Sequence, residues 1–400
     1  MADIAVMGYG IVGAGVVGVI EKNAEIISRN AGEEINVKYV LDLKDFPDDP
    51  IQDKIIHDVE ILLGDPGVEL VVETMGGVEP AFTFVKRALE AGKHVCTSNK
   101  NLVAAKGAEL LRIAKEKGVY FLFEAAVGGV IPAIRTLNKA FTADRIETVT
   151  GILNGTCNYI LTKMERDNDT FEEALKKAQD NGFAERDPEN DIKGYDSCRK
   201  IAIVASIVTG KFVNYENILT EGIENVSAED IEYAKSLGMK IKLLAKCSYE
   251  DDKLFAVTAP CMIGSNHPLY GIDGVINSVS VHGNCMEDVT LTGAGAGRFP
   301  TASAVVSDIV DAVSHKGQDE YRLLWSEEEL VPVDAKKNSY NFFVRIRENE
   351  KNDDSAFEAV RTVSLDQFED EYAIITDEMT REEFDERVKG VDMISFYRVI

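Results

Sequence analysis

Short apolar runs alternate with amphipathic stretches along the first third of the chain. The apolar runs, each long enough for one buried strand, are residues 3–7, 36–41, 68–73, 93–97 and 119–124. The amphipathic stretches, which predict helices, are residues 16–29, 79–91 and 102–117. Strands and helices that alternate at these lengths are typical of a parallel sheet with right-handed crossovers. The pattern therefore predicts an α/β domain over residues 1–140, which the chain completes at about 300–325.

The pattern changes near residue 145, where the strict alternation ends. Strands are predicted at 146–153, 239–247, 254–262 and 276–281, and helices at 171–181, 195–208 and 304–314. Thr156 is a candidate N-cap for a further helix that starts beside it. Elements that no longer alternate predict an open α+β domain over residues 141–299, suited to substrate binding and oligomerisation.

Residues 326–400 are strongly acidic but keep a folded pattern. Strands are predicted at 340–346, 361–368, 372–376 and 394–400, with a helix at 380–389. The order predicts a third, small α+β domain.

Composition excludes several classes of protein. Of 400 residues, 45% are hydrophobic and 28% are charged, as in globular proteins. The net charge of −26 repels nucleic acids and anionic membranes. Because the chain has neither an apolar run of about 18 residues nor a basic N-terminal stretch, we expect a cytoplasmic protein. Its six cysteines form no CxxC pair, so a disulfide frame or structural zinc is not expected, and all six are interpreted as packing residues.

A glycine motif follows the first predicted strand directly. Gly8 permits a tight turn, Gly10 lets the backbone approach a pyrophosphate, and Gly13 lets the following helix lie close to the strand. Strand, glycine turn and helix in this order predict a Rossmann-type dinucleotide site. The alternative is a glycine-rich turn that has the same sequence motif but binds no ligand. The loops expected beside it, at the carboxyl ends of later strands, are residues 74–77, 98–100 and 124–129.

Asp42 ends the second predicted strand, where such folds present a side chain to the adenosine ribose. An acidic side chain there binds the 2′-hydroxyl and disfavours a 2′-phosphate, which predicts NAD rather than NADP. The alternative is an ordinary solvated aspartate at a strand end.

Asp196 and Lys200 lie four residues apart on a predicted helix and so share one face, with Asp191 close before them. A partly desolvated lysine can polarise a carbonyl or donate a proton, while carboxylates receive a substrate ammonium. The alternative is a surface ion pair, but the apolar residues after Lys200 indicate a buried helix. Lys100, at the end of a predicted strand, is either a second proton relay or cofactor contact, or simply a cation at the rim of the sheet. With no metal ligands and no activated nucleophile, hydride transfer is the remaining chemistry.

These motifs together resemble the homoserine dehydrogenase family over residues 1–325. The matching segments are GYGIVGAG at 8–15, TSNK at 97–100, EAAVGGVIP at 124–132, GILNGTCNYIL at 151–161, AERDPENDIKGYDSCRK at 184–200 and GAGAGRFPTASAVVSD at 293–308. The resemblance implies NAD(P)-dependent interconversion of L-aspartate 4-semialdehyde and L-homoserine, in threonine, methionine and isoleucine biosynthesis. It also implies a small-molecule substrate and a homodimer or homotetramer, with no nucleic-acid or membrane partner.

The resemblance also implies roles for individual residues. Catalytic roles fall on Lys200, Lys100 and Asp196, and substrate binding on Glu185, Asp191, Gly155 and Thr156. Cofactor binding falls on Gly8, Gly10, Ile11, Val12, Gly13, Asp42, Thr74 and Lys100. A monovalent cation, Na⁺ or K⁺, would be bound by Glu124, Val127, Gly129 and Ile131.

The sequence departs from the family pattern at two places. Many relatives have an arginine just before the aspartate of the second strand, and here that residue is Leu41, so NAD is preferred and NADP remains possible; Lys44 could partly replace the arginine. Residues 326–400 resemble an ACT-like regulatory domain but lack the Asp-x-Pro-Gly type of loop near the effector. That region is therefore either an effector domain or one used only for subunit association. Two other functions stay open: a dehydrogenase of another small amino-acid aldehyde, and a catalytically silent nucleotide-binding sensor.

Overall fold

The computed structural model describes residues 1–317, 324–348 and 357–400. The chain forms two compact units. Unit 1 comprises Met1–Arg145, Ala202–Tyr215 and Leu291–Leu330, and unit 2 comprises Ile146–Ile201, Glu216–Thr290 and Val331–Ile400. Among the described residues, we find no helix with both the length and the apolar character needed to span a bilayer.

The strands of the described residues are β1 Ala2–Met7, β2 Ile35–Leu41, β3 Ile55–Ile56, β4 Val68–Glu73, β5 His94–Thr97, β6 Phe121–Leu122, β7 Ile146–Ile152, β8 Lys211–Phe212, β9 Leu219–Thr220, β10 Met239–Glu250, β11 Lys253–Gly264, β12 Ile276–Gly283, β13 Glu287–Ala294, β14 Ser326–Glu329, β15 Ser339–Arg347, β16 Ala359–Val363, β17 Glu371–Thr376, β18 Met379–Thr380 and β19 Met393–Val399.

The helices are α1 Ile11–Lys22, α2 Ala24–Ala31, α3 Val59–Gly64, α4 Ala81–Glu90, α5 Lys100–Lys117, α6 Ala125–Gly128, α7 Ala133–Arg135, α8 Gly155–Asp167, α9 Phe171–Asp180, α10 Glu189–Ile192, α11 Tyr195–Thr209, α12 Ala228–Ser236, α13 Arg298–Ser314 and α14 Arg381–Arg387.

Unit 1 is built on a parallel sheet in the order β3-β2-β1-β4-β5-β6. The central strands are apolar because helices cover them, and Ile4, Val6 and Val72 are fully buried. Helices α1 and α13 pack into this core through Val16 and Val305. The parallel sheet confirms the predicted Rossmann-type domain, and it gathers the loops after β1, β2, β4 and β5 at one edge.

Unit 2 is built on a mixed sheet in the order β13-β12-β7-β10-β11-β19-β15-β17-β16, with β18 beside β15 and β9 beside β11. Strand β19 pairs in parallel with β11, and the Ile400 amide donates to the Met262 carbonyl. The core between this sheet and helices α8, α9 and α12 includes Met262, Phe343 and Tyr397. Residues 331–400 thus share a sheet and a core with the predicted substrate domain, and their regulatory role stays a prediction.

Several local predictions differ from the structure. The strand expected at 119–124 is only Phe121–Leu122, and α13 begins at Arg298 rather than at 304. Helix α12 was missed, although Ser227 and Asp230 form a capping box that the sequence displays. Cys285 is exposed and does not pack in a core, whereas the other five cysteines are buried. Residues 349–356, where a helix of an ACT-like domain would have to begin, lie outside the described residues.

Candidate functional site

The glycine loop of unit 1 forms a backbone cradle between β1 and α1. Gly8 has a φ of +95°, in the region that favours glycine. A Cβ on Gly13 would lie 1.9 Å from the Gly8 carbonyl oxygen, so no side chain fits there. A Cβ on Gly10, by contrast, would meet no atom within 4 Å. The cradle leaves open space at Gly10 in front of the α1 N-terminus, as a dinucleotide pyrophosphate requires, and Ile11 and Val12 form the first residues of that helix.

Two neighbouring loops are tied to this cradle by hydrogen bonds. The Thr74 hydroxyl donates to the carbonyls of Gly8, at 2.9 Å, and Met7, at 3.2 Å. The Asp42 carboxylate accepts the Tyr9 amide at 2.7 Å and the Lys44 amide at 3.0 Å. Both predicted cofactor residues therefore contact the glycine loop or its immediate flanks.

Glu73, at the end of β4, organises the next loop and was not predicted as a functional residue. Its buried carboxylate accepts the Met75 amide at 2.8 Å, the Gly76 amide at 3.2 Å and the Thr97 hydroxyl at 2.5 Å. Burial raises the pKa of this carboxyl group. Its position at a strand end, directly before Thr74, was a signal that the sequence offered.

Lys200 lies on the first turns of α11 in unit 2 and is only 8% exposed. Its Nζ donates to Asp196 Oδ2 and to the Leu153 carbonyl, both at 2.7 Å. Asp196 is also buried, so this i,i+4 pair is not a surface ion pair. An ammonium held this way in a fixed position is suited to stabilise negative charge on a substrate oxygen.

Two asparagines, which the sequence analysis missed, complete this cluster. Asn154 Nδ2 donates to Asp191 Oδ1 at 2.7 Å and to Asp196 Oδ2 at 3.0 Å. Asn277 Nδ2 donates at 2.9 Å to the Leu153 carbonyl that also accepts from Lys200. Asn277 is 1% exposed, and its Oδ1 has no hydrogen-bond partner among the described residues. The cluster thus holds two carboxylates and one ammonium in a network of amides.

The predicted N-cap of α8 is corrected by the structure. The cap is Asn154, whose Oδ1 accepts the Cys157 amide at 2.8 Å. Thr156 is buried inside the first turn, and its hydroxyl donates to the Phe183 carbonyl at 2.7 Å. The chain is tight at Gly155, where a Cβ would lie 2.8 Å from the Val275 carbonyl oxygen.

Two further predicted residues, Glu185 and Lys100, lie on other elements of the chain. Glu185 is exposed on the loop before α10. Lys100 is the first residue of α5 in unit 1, a helix that Asn99 caps. Within unit 2, three predicted residues share one hydrogen-bonded network: Asp191, Asp196 and Lys200.

The predicted cation site begins at a buried carboxylate in unit 1. Glu124 accepts the Ile134 and Arg135 amides, each at 2.8 Å, and burial raises the pKa of its carboxyl group. Val127 and Ile131 are buried beside it, and Gly129 has a φ of +61°. Among the described residues, no group of three or more His, Cys, Asp or Glu side chains is arranged to hold a metal ion. This set could instead offer one carboxylate and backbone carbonyls, which are hard oxygen ligands.

Comparisons with known proteins identify similar families and relatives. Residues 132–310 match the family model described as homoserine dehydrogenase, and residues 8–124 match the homoserine dehydrogenase NAD binding domain. A homoserine dehydrogenase of Bacillus subtilis (strain 168) is 39% identical over 77% of this chain and 72% of its own length. One of Pseudomonas aeruginosa is 36% identical over 86% of this chain and 82% of its own.

Solved structures give the same result. The crystal structure of a homoserine dehydrogenase from Thiobacillus denitrificans superimposes with a TM-score of 0.91 at 31% identity, covering 100% of this chain and 98% of that one. A hyperthermophilic archaeal homoserine dehydrogenase in complex with NADPH has a TM-score of 0.66 at 27% identity, covering 78% of this chain and 97% of that one.

Proposed function

Because this chain belongs to the homoserine dehydrogenase family, and is therefore an NAD(P)-dependent oxidoreductase, we propose that Lys200, Asp196 and Asp191 form its substrate site. The reaction is the interconversion of L-aspartate 4-semialdehyde and L-homoserine, as in threonine, methionine and isoleucine biosynthesis. The observation that carries the assignment is the buried Lys200–Asp196 pair, joined to Asp191 through Asn154. A charged network is costly to bury, and binding of a zwitterionic substrate gives it a use.

The chemistry divides between the two ends of the substrate. The nicotinamide, when bound, supplies or accepts the hydride at the carbon that bears oxygen. Lys200 stabilises the negative charge that develops on that oxygen, and its ammonium donates the proton that completes the hydroxyl group. Asp191 and Asp196 accept hydrogen bonds from the substrate ammonium. Glu185, Gly155 and Thr156 also bind the substrate in our proposal, and Lys100 has a catalytic and cofactor-binding role.

The coenzyme in our proposal is NAD, with NADP as a possible substitute. Asp42 accepts backbone amides at the end of β2, and its carboxylate would repel a 2′-phosphate there. Leu41 is buried, and Leu43, which follows Asp42, is 95% exposed and apolar. Lys44 is an exposed cation near this position, which leaves room for dual use.

We also propose a monovalent cation, Na⁺ or K⁺, at Glu124 and the carbonyls of Val127, Gly129 and Ile131. Support comes from the buried Glu124 carboxylate, which backbone amides hold and which forms no ion pair with a lysine or arginine among the described residues. A bound cation would compensate the charge of this carboxylate. No step of the proposed reaction passes through it.

Two other functions stay open as alternatives. A dehydrogenase of another small amino-acid aldehyde would share the cradle and the lysine, and a nucleotide-binding sensor would show no turnover. Neither has a specific feature of this chain in its favour. A homodimer or homotetramer in the cytoplasm, and a regulatory role for residues 326–400, complete the proposal.

Steady-state oxidation of L-homoserine with NAD and with NADP, with and without threonine, tests the proposal. We expect turnover with homoserine and a higher kcat/KM with NAD. Assays with alternative amino-acid aldehydes separate the related dehydrogenases. Binding of dinucleotide without turnover on any of these substrates would contradict the proposed enzyme.

A further inference from the structure

A buried arginine of the C-terminal strand pairs with a carboxylate outside the C-terminal region. Arg398, on β19, is 1% exposed. Its two terminal nitrogens donate to the two oxygens of Glu221, at 2.5 Å and 3.3 Å. Arg381, on α14, adds a third contact to Glu221 at 3.4 Å. Glu221 therefore anchors the segment after β9 to two cations of residues 331–400.

The segment that Glu221 anchors lies directly on the turn after α10. The Glu221 amide donates to the Thr258 carbonyl at 2.8 Å, which fixes the segment to β11. The next residue, Gly222, has no room for a side chain, since its Cβ would lie 2.3 Å from the Ile192 carbonyl oxygen. The Ile223 amide then donates to that same carbonyl at 2.7 Å. Two backbones are thus in direct contact here.

The turn on the other side of this contact carries the substrate carboxylates. Asp191 precedes Ile192 in α10, and the Gly194 amide donates to the Asp191 carbonyl at 2.9 Å. A Cβ on Gly194 would lie 3.3 Å from the Glu221 carbonyl oxygen, so the turn is also close to Glu221 itself. Asp196 follows two residues later, in the first turn of α11.

We propose that Glu221 is a positioning residue, held by Arg398 and Arg381, which sets the Ile192–Gly194 turn and thereby places Asp191 and Asp196 to receive the substrate ammonium. The C-terminal region is then a structural part of the substrate site rather than an appended domain. This inference rests on the proposed function, because it takes Asp191 and Asp196 as the groups that bind homoserine.

The Arg398–Glu221 pair is suited to this role because the contact is bidentate and Arg398 is buried. A planar guanidinium that contacts both oxygens of a carboxylate fixes distance and orientation together. Losing Glu221 leaves Arg398 buried without this counter-charge, and losing Arg398 leaves Glu221 only the longer contact with Arg381. In either case the segment on Ile192 can shift. A small displacement of a substrate carboxylate is enough to weaken binding.

The test uses Glu221→Gln and Arg398→Gln in the full chain, with Arg398→Lys as the conservative variant. We expect the KM for homoserine to rise roughly tenfold or more in both Gln variants, while the KM for NAD stays within about twofold. The double variant should be no worse than the poorer single variant, since both remove the same interaction. Arg398→Lys should recover part of the homoserine affinity because it keeps the charge.

Arg345→Gln is the matched control. Arg345 is a buried arginine on the neighbouring strand β15 that pairs with Asp230 at 2.7 Å and Glu371 at 3.0 Å. Its replacement should lower the melting temperature but leave the KM for homoserine unchanged. If Arg398→Gln does not fold, Glu221→Gln and Arg381→Gln decide the question by the same readout, with the smaller rise for Arg381→Gln.

An unchanged homoserine KM in Glu221→Gln overturns the inference, as does an equal rise in Arg345→Gln. Failure of the proposed function is distinguishable from either result. If wild-type protein does not oxidise homoserine, the proposed function fails and this inference with it. If wild-type protein does so and Lys200→Ala is inactive, but Glu221→Gln binds homoserine normally, the inference alone fails.

Discussion

The candidate ligand sites of the two units are built by different means. In unit 1 the cradle is made of backbone: Gly8 turns the chain, Gly13 admits close contact, and Gly10 leaves space. In unit 2 the site is made of side chains, with Lys200 and Asp196 buried together. A backbone site is damaged by added volume, whereas a site of buried charges is damaged by the loss of one partner. The difference predicts which substitutions each unit tolerates.

Replacing Lys200 of unit 2 should have the largest effect on turnover. We expect Lys200→Ala to lower turnover by about 10³- to 10⁴-fold, because both charge stabilisation and proton donation are lost. The dissociation constant for NAD, measured by fluorescence, should change little, since the cradle is in unit 1. Lys163→Ala, which breaks an exposed pair with Asp167, is the control and should keep normal activity. Near-normal turnover of Lys200→Ala would refute the assigned role.

Two alanine variants of the cradle should separate the effect of added side-chain volume on stability from its effect on NAD binding. In Gly13→Ala the new Cβ would lie 1.9 Å from the Gly8 carbonyl oxygen, so both the melting temperature and NAD affinity should fall. In Gly10→Ala the Cβ meets open space, so the melting temperature should not change. NAD affinity should still fall by roughly tenfold or more, because the methyl group blocks the approach of the pyrophosphate. Wild-type NAD binding by Gly10→Ala would contradict the cradle.

Asp42→Asn should weaken coenzyme discrimination with a smaller effect on turnover. The amide oxygen can still accept from the Tyr9 amide while the bond from the Lys44 amide is lost, so the glycine loop should keep its position. The negative charge that repels a 2′-phosphate is lost, and we expect the ratio of kcat/KM for NAD to that for NADP to fall by roughly tenfold. Asp45→Asn, an exposed aspartate beside His57, is the control. An unchanged ratio would show that residues other than Asp42 determine the coenzyme preference.

The smallest effect on activity, and a clear effect on stability, is expected at Asp273 of unit 2. Burial acts to raise its pKa, but hydrogen bonds from Lys242, at 2.7 Å, and from Lys240 lower the pKa of Asp273 to about 2. Because the folded-state pKa lies below the unfolded value, the carboxylate stabilises the fold above about pH 4 and loses that contribution as the pH falls toward about 2.

A lowering of this size corresponds to roughly 2 kcal/mol of unfolding free energy at neutral pH. In urea unfolding, Asp273→Asn should be less stable by about this amount near pH 7, and the gap to wild type should narrow between about pH 4 and about pH 2. Asp366→Asn, at an exposed position, is the control. A gap that stays constant with pH would show that the contribution of Asp273 is not electrostatic.

Prediction from the sequence was strongest where the relevant residues are close in the chain. The spacing of Gly8, Gly10 and Gly13 after an apolar run indicated a turn that depends on local backbone conformation. The four-residue spacing of Asp196 and Lys200 indicated a shared helix face. The N-cap of α8 was also local, but Asn154 and Thr156 are both good caps, and only the backbone geometry distinguished them.

Prediction failed where the partner is distant in the chain. Asn277 reaches the Leu153 carbonyl from the neighbouring strand β12, and Arg398 reaches Glu221 from the far end of the sequence. Neither contact corresponds to a spacing along the sequence from which a contact can be predicted. Glu185, which the family resemblance groups with the acids of the site, lies on an exposed loop, and its role in substrate binding stays a prediction.

The sequence by itself determined the order of strand, glycine turn and helix, the face that Asp196 shares with Lys200, and the family. Periodicity and turn chemistry are properties of neighbouring residues, so they can be read along the chain. Only the tertiary structure decided which charges are buried, which carbonyl Lys200 shares with Asn277, and that the last strand pairs with β11. Burial and charge pairing depend on which distant segments meet, because the low dielectric around a group is created by its neighbours in space.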